Sequence, residues 1–130
     1  MKKLVLLVSL ISLFIAGGCM EKKESLDIIY RSITQVEAKH IMDTTTGYII
    51  LDVRTIEEFN TGHIVKAINI PNEVIKEEAE AILLNKEQVI LVYCRSGRRS
   101  KEAADKLVEL GYTNVLEFGG IIDWKYEIEK

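Results

Sequence analysis

The residues best suited to chemistry are a cysteine and the arginine-rich turn that follows it. Residues 89–93 are apolar and partly β-branched, a pattern typical of a central parallel strand that is covered on both faces. Cys94 comes next, at the carboxyl end of that strand, where open α/β sheets bind their ligands. The following residues are Arg95, Ser96, Gly97, Arg98, Arg99 and Ser100. This pattern predicts a nucleophilic cysteine inside a loop that binds anions.

A helix must follow this loop. In residues 100–110, Ala103, Ala104, Leu107 and Val108 share one face at helical spacing, and Gly111 suits the position after the helix end. The first amides of a helix have no intrahelical acceptor and can stabilise a thiolate or a bound oxyanion. The alternative is a buried structural cysteine, which gains nothing from three nearby arginines.

Two further polar residues follow a neighbouring strand, predicted over residues 48–53. Asp52 and Arg54 lie at its carboxyl end and could border the same site. We favour a structural interpretation, in which Asp52 orders a nearby loop and Arg54 pairs with an acid such as Glu58.

The remaining elements alternate between strands and helices. Strands are predicted over residues 28–30, 67–70, 88–93 and 114–118, and helices over residues 34–42, 55–59 and 74–84. Such alternation predicts a largely parallel α/β sheet.

The amino terminus has the organisation of a secretory signal. Two lysines precede an apolar stretch, residues 4–15, that is short for a membrane span. Ala16, Gly17 and Gly18 then precede Cys19, an arrangement that resembles the bacterial lipobox, although that motif usually has a large aliphatic residue in place of Ala16. We expect residues 1–18 to be the signal peptide, 19–27 a lipidated cysteine with a polar spacer, and 28–130 the domain. An ordinary cleaved signal, or an uncleaved anchor, is the alternative.

The composition limits partners and redox chemistry. The chain has 130 residues with a net charge of −3, and loss of Lys2 and Lys3 with the leader would make it about −5, so electrostatic binding of nucleic acid is not expected. If Cys19 is lipidated, Cys94 is the remaining thiol and no intramolecular disulfide can form. We therefore expect an exported domain, tethered by lipid to a membrane of the bacterial envelope and facing the periplasm or the exterior.

Several ordered motifs together resemble those of single-domain rhodaneses, over residues 28–130. The motifs are residues 51–59 (LDVRTIEEF), 62–64 (GHI), 67–71 (AINIP), the Cys94 loop, and residues 118–121 (FGGI) with Trp124. The chain departs from the family at Val65 and Lys66, where Pro-Gly is common, and it lacks the Gly-x-Pro often found after the tryptophan.

The resemblance implies a rhodanese-like α/β fold, with a five-stranded, mainly parallel sheet flanked by helices on both faces. It also implies a sulfurtransferase in which Cys94 takes a sulfane sulfur from thiosulfate or a persulfide donor and passes it to a thiol or a cyanide-like acceptor. Residues 95–100 would stabilise the persulfide, their arginines would attract the small anionic donor, and no metal or organic cofactor is implied. His63, Trp124 and Tyr126 are expected to be structural, and His40 to be an exposed residue.

Two alternatives remain open. A non-catalytic rhodanese-like binding or sensing module is one, although such modules often lack the cysteine. A cysteine phosphatase or arsenate reductase is the other. Cysteine phosphatases resemble one another in having an arginine six positions after the cysteine, where this chain has Ser100. The smaller loop favours a sulfur atom over a phosphate.

Overall fold

The computed structural model describes residues 29–130, so the predicted leader and Cys19 lie outside the described residues. This part of the chain contains seven strands, which are β1 (Arg31–Ser32), β2 (Ile49–Asp52), β3 (His63–Ile64), β4 (Ile68–Asn69), β5 (Ile90–Cys94), β6 (Val115–Gly120) and β7 (Ile128–Glu129). The helices are α1 (Gln35–Thr44), α2 (Ile56–Thr61), α3 (Ile75–Ile82) and α4 (Arg98–Glu109), with 3₁₀ turns at Asn72–Val74 and Ile121–Asp123.

Five strands form one parallel sheet in the order β1-β6-β5-β2-β4. The fifth strand, β5, is central and all its residues are buried, as the apolar run predicted. A separate antiparallel pair joins β3 to β7. The predicted α/β fold with a five-stranded parallel sheet is therefore confirmed.

The core lies on both faces of the sheet. Alternate residues of β5 point to opposite sides, so Ile90, Val92 and Cys94 belong to one cluster and Leu91 and Tyr93 to the other. The first cluster includes side chains of α3 and α4, and the second includes side chains of α1 and α2. Helices thus flank both faces, and Cys94 lies on the α4 side.

Short-range signals set the starts of α1, α2 and α4 in two different ways. The Thr34 hydroxyl accepts a hydrogen bond from the Glu37 amide at the start of α1, and Thr55 and Glu58 form a capping box at the start of α2. The helix after the cysteine begins at Arg98, earlier than predicted, because Gly97 adopts a left-handed φ of 114° and turns the chain directly into it.

The first strand differs from its prediction. It comprises Arg31 and Ser32, not residues 28–30, because the hydrogen-bond register joins these residues to Leu116 and Glu117 of β6. Among the described residues, no helix has the length and apolar character needed to cross a membrane.

Candidate active site

The sulfur of Cys94 lies beneath the loop that links β5 to α4. The Gly97 amide donates a hydrogen bond to Cys94 Sγ over 2.9 Å, and the cysteine is only 1% exposed. The loop therefore curls back over the sulfur.

A glycine on the next strand makes this tight turn possible. Cys94 is opposite Gly120 of β6, and a Cβ atom built on Gly120 would lie 2.0 Å from the Arg95 carbonyl oxygen. The backbone of the loop thus packs directly against the backbone of β6, where any side chain would collide with it.

The start of α4 directly follows the Gly97 amide that contacts the sulfur. The helix begins at Arg98, and the first amides of a helix have no intrahelical carbonyl partner. These amides carry the positive end of the helix dipole, which favours a negative charge on the sulfur or on an incoming oxyanion.

The three loop arginines are not equivalent. Arg99 donates two hydrogen bonds to the Glu58 carboxylate, at 2.7 and 2.9 Å, and Arg98 donates one to Glu102 at 2.8 Å. Within residues 29–130, Arg95 has no ion-pair partner, and its side chain is exposed. Arg95 is therefore the loop cation with an unengaged guanidinium.

The Arg99 pair has a marked electrostatic effect. The hydrogen bond from Arg99 lowers the pKa of Glu58 to about 2, and the same bond raises the pKa of Arg99. Both groups remain charged at neutral pH, and the pair ties the loop to α2.

A depression of about 380 Å³ lies over the outer side of the loop. Its lining residues are Glu73, Arg95, Ser96, Arg98 and Arg99. Three of these five side chains are cationic, so this depression suits a small anion.

The last loop residue, Ser100, is buried and faces two groups. Its hydroxyl oxygen lies 3.4 Å from Cys94 Sγ and 2.7 Å from Oε1 of Glu117. Glu117 is itself only 2% exposed. Our sequence interpretation did not identify Glu117, although an acidic residue between Leu116 and Phe118 in an apolar strand was an available signal.

Asp52 and Arg54 form a buried ion pair beside the site. The guanidinium contacts the Asp52 carboxylate at 2.7 Å and also donates to the Gly62 carbonyl. Arg54 therefore pairs with an acid, as expected, but the acid is Asp52 and not Glu58, because Glu58 belongs to α2 and binds Arg99 across the gap to α4. Asp52 is aligned with Tyr93, so this pair lies one strand away from the cysteine.

The remaining candidates have structural surroundings. His63 stacks on Phe59 with ring centres 3.8 Å apart, and its Nδ1 lies 3.0 Å from the Phe59 carbonyl oxygen. Trp124 packs against Phe118 and Tyr126 and comes directly after the 3₁₀ turn at Ile121–Asp123. His40 is exposed on α1.

Comparison with known proteins identifies the class to which this fold and loop belong. The family model of the rhodanese-like domain matches residues 34–127. The chain therefore belongs to the rhodanese-like domain family.

Named relatives and solved structures agree with that family. The chain is 40% identical over 73 residues to thiosulfate sulfurtransferase PspE of Escherichia coli, covering 56% of this chain and 70% of that protein. It is 37% identical over 102 residues to thiosulfate sulfurtransferase 18 of Arabidopsis thaliana, covering 68% of this chain and 73% of the relative.

Among solved structures, a rhodanese with anions from E. coli superposes with a TM-score of 0.60 at 36% identity, over 64% of this chain and 98% of the other. These relatives support a sulfurtransferase activity in general, with a sulfur donor and a sulfur acceptor as its substrates.

Proposed function

We propose that this protein is a sulfurtransferase that carries sulfane sulfur on Cys94, with thiosulfate or a persulfide as donor. The observation that carries the proposal is the Gly97 amide, which lies 2.9 Å from Cys94 Sγ at the start of a helix. A backbone donor in that position stabilises negative charge on sulfur, which is what the nucleophile and the persulfide both require.

The first half of the reaction loads the cysteine. The Cys94 thiolate attacks the sulfane sulfur of thiosulfate and forms a new S–S bond. The bond between the two sulfur atoms of the donor breaks, and sulfite leaves with the electron pair. Arg95, which has no ion-pair partner among the described residues, binds the anionic donor and the departing sulfite.

The second half of the reaction transfers the sulfur from Cys94 to the acceptor. An acceptor thiolate or cyanide attacks the outer sulfur of the persulfide, the persulfide S–S bond breaks, and the Cys94 thiolate is regenerated. Both halves are nucleophilic displacements at sulfur, so neither requires an external oxidant or reductant.

Phosphate or arsenate chemistry is less well supported by the loop. Six positions after the cysteine, Ser100 is fully buried and lies 2.7 Å from the Glu117 carboxylate. No arginine occupies this position, at which cysteine phosphatases bind the oxyanion, and the Ser100 hydroxyl that stands there is already bound to Glu117.

Mass spectrometry tests the persulfide directly. All strands and helices given above lie in residues 29–130, so a protein beginning at Glu21 contains them and is suitable. Incubation with thiosulfate should add one sulfur atom, about 32 Da, that dithiothreitol removes. The Cys94→Ser variant should stay folded and gain no mass.

If the folded protein, with a free Cys94 thiol, gained no sulfur from thiosulfate or from a persulfide donor, the proposal would be wrong. The non-catalytic binding module would then become the better interpretation.

We further propose that Cys19 is lipidated and tethers the domain to a membrane of the cell envelope. The support is the lipobox-like residues 16–19 after a basic and apolar leader. Expression of the full chain in bacteria fed radiolabelled palmitate should label it, and Cys19→Ala should abolish the label. Equal labelling of both chains would contradict the assignment.

A further inference from the structure

Glu117 is a buried carboxylate without a cationic partner in the described part of the chain. It lies within β6, is 2% exposed, and accepts hydrogen bonds from three donors. The Gly119 amide and Ser100 hydroxyl bind Oε1 at 2.8 and 2.7 Å, and the Ser32 hydroxyl binds Oε2 at 3.1 Å. All three contacts suit an ionised carboxylate, which accepts hydrogen bonds and has none to donate.

Ser100 connects this carboxylate to the nucleophile. Its single hydroxyl proton has four nearby acceptors, namely Glu117 Oε1 at 2.7 Å, the Gly97 carbonyl at 2.9 Å, and Cys94 Sγ and the Gly119 carbonyl at 3.4 Å each. A hydrogen bond to a carboxylate is stronger than one to a neutral carbonyl, and the carboxylate is also the nearest of the four. The proton therefore lies toward Glu117, and an oxygen lone pair of Ser100 faces the sulfur.

This arrangement has a consequence for Cys94. The thiol can donate its proton to Ser100 Oγ, whereas the thiolate receives no hydrogen bond from a hydroxyl already bound to Glu117. The negative charge of a Cys94 thiolate would also lie close to the negative charge of the buried Glu117 carboxylate, and the two would repel each other. Both effects favour the thiol over the thiolate, in opposition to the Gly97 amide.

We propose that Glu117 is a positioning residue that acts through Ser100 to restrain ionisation of Cys94. The sulfur is then balanced between a donor that favours the thiolate, Gly97, and a carboxylate that disfavours it. The importance of this balance for turnover rests on the proposed sulfurtransferase function, but the restraint itself is a property of the free enzyme.

Other ionisable groups also face this region. Tyr30 precedes β1, and its pKa is raised first by burial and then by the nearby charges of Asp105 of α4 and Glu117. Lys101 of α4 and Asp123 line the same cavity as Glu117, and Arg99 interacts with Cys94. A comparison of variants that leave these groups unchanged isolates the contribution of Glu117.

The test is the pH dependence of Cys94 alkylation by iodoacetamide in the enzyme without donor. Glu117→Gln removes the charge and keeps the shape. The Gly119 amide donates to the Oε1 position, so the Gln amide oxygen takes that position, and Ser100 then faces a neutral acceptor that holds its hydroxyl proton less strongly. The hydroxyl can therefore turn to the sulfur more readily. We expect the midpoint of the alkylation profile to move down by about 0.5 pH unit or more. An unchanged midpoint, or one that moves up, would overturn the proposal.

Two variants make the result specific. Glu109→Gln removes a carboxylate at the far end of α4, where it pairs with exposed Lys76, and should leave the midpoint unchanged. In a Ser100→Ala background, Glu117→Gln should shift the midpoint by less than half as much, because the connecting hydroxyl is gone. A full shift in that background would show a through-space charge effect and contradict the role of Ser100.

Circular dichroism must show that each variant is folded. If Glu117→Gln does not fold, Glu117→Asp provides the same test, because retraction of the carboxylate breaks its 2.7 Å contact with Ser100 and should also lower the midpoint. Alkylation requires no sulfur transfer, so this result is independent of whether thiosulfate loads Cys94.

Discussion

Arg99 and Glu58 join the cysteine loop to α2 through two hydrogen bonds, at 2.7 and 2.9 Å. The two residues are 41 positions apart in the chain. Glu58 also accepts a hydrogen bond from the Thr55 amide at the start of α2, so one carboxylate caps a helix and fixes an arginine of the active-site loop. The charge of this loop is therefore organised by a residue outside it.

The ion pair between Glu58 and Arg99 should make the free energy of unfolding depend on pH. The folded-state pKa of about 2 is below the ordinary value of 4.5, so this stabilisation is fully present above about pH 4.5 and is lost as the pH falls toward 2. Because both side chains are partly exposed, we expect a contribution of about 1 kcal/mol to the free energy of unfolding. Urea denaturation should show that the free energy of unfolding changes less between pH 6 and pH 3 in Glu58→Gln than in the wild type.

The control for this prediction is Glu109→Gln, which breaks an exposed pair with Lys76. It should retain the wild-type difference between pH 6 and pH 3. An unaltered difference in Glu58→Gln would mean that the Arg99 pair does not stabilise the fold.

Gly120 should tolerate no side chain. In Gly120→Ala the new methyl group would lie 2.0 Å from the Arg95 carbonyl, so the loop or β6 must move. We expect a loss of about 3 kcal/mol in unfolding free energy, or no folded protein, together with loss of persulfide formation. Chemical denaturation and intact mass would measure the two effects.

Gly47→Ala is the matched control. Gly47 has a positive φ, of 77°, whereas Gly120 is extended at a φ of −133°, and no atom lies within 4 Å of a Cβ added at Gly47. Gly47→Ala should lose only about 1 kcal/mol of unfolding free energy, because of backbone strain, and should keep full activity. Equal losses in both variants would refute the close approach at Gly120.

Arg95 should contribute more to donor binding than Arg98. Its guanidinium has no ion pair within residues 29–130, whereas Arg98 pairs with Glu102 and its side chain is 75% exposed. We expect Arg95→Gln to lower kcat/KM for thiosulfate about tenfold, which corresponds to roughly 1.4 kcal/mol, and Arg98→Gln to lower it about twofold. Steady-state kinetics at low and high salt would test this, since the difference should shrink as salt screens the charge.

Equal effects of these two substitutions would contradict the distinction. Such a result would mean that the depression over the loop attracts the donor by the sum of its charges, without a particular role for Arg95.

Arg54 should be important for stability and not for chemistry. Its removal in Arg54→Leu leaves the Asp52 carboxylate buried and unpaired, at 0% exposure. We expect a loss of about 3 kcal/mol in unfolding free energy, while the folded fraction still forms the persulfide. Loss of persulfide formation at unchanged stability would instead place Arg54 in the active site.

The sequence alone determined the features that depend on neighbours along the chain. The apolar run before Cys94, the glycine after it and the amphipathic helix beyond predicted a cysteine at the junction of a strand and a helix, because each pattern reports local backbone preference and burial. The same local patterns predicted the parallel sheet, and the ordered motifs indicated the family.

Tertiary structure decided which polar groups meet. Arg54 was expected to pair with an acid such as Glu58, four residues away, but the acid is Asp52, while Glu58 binds Arg99. Glu117 contacts Ser100 only because β6 lies beside β5 and α4 packs over both. Such pairings depend on distances between elements that are remote in sequence, and short-range propensity contains no information about those distances.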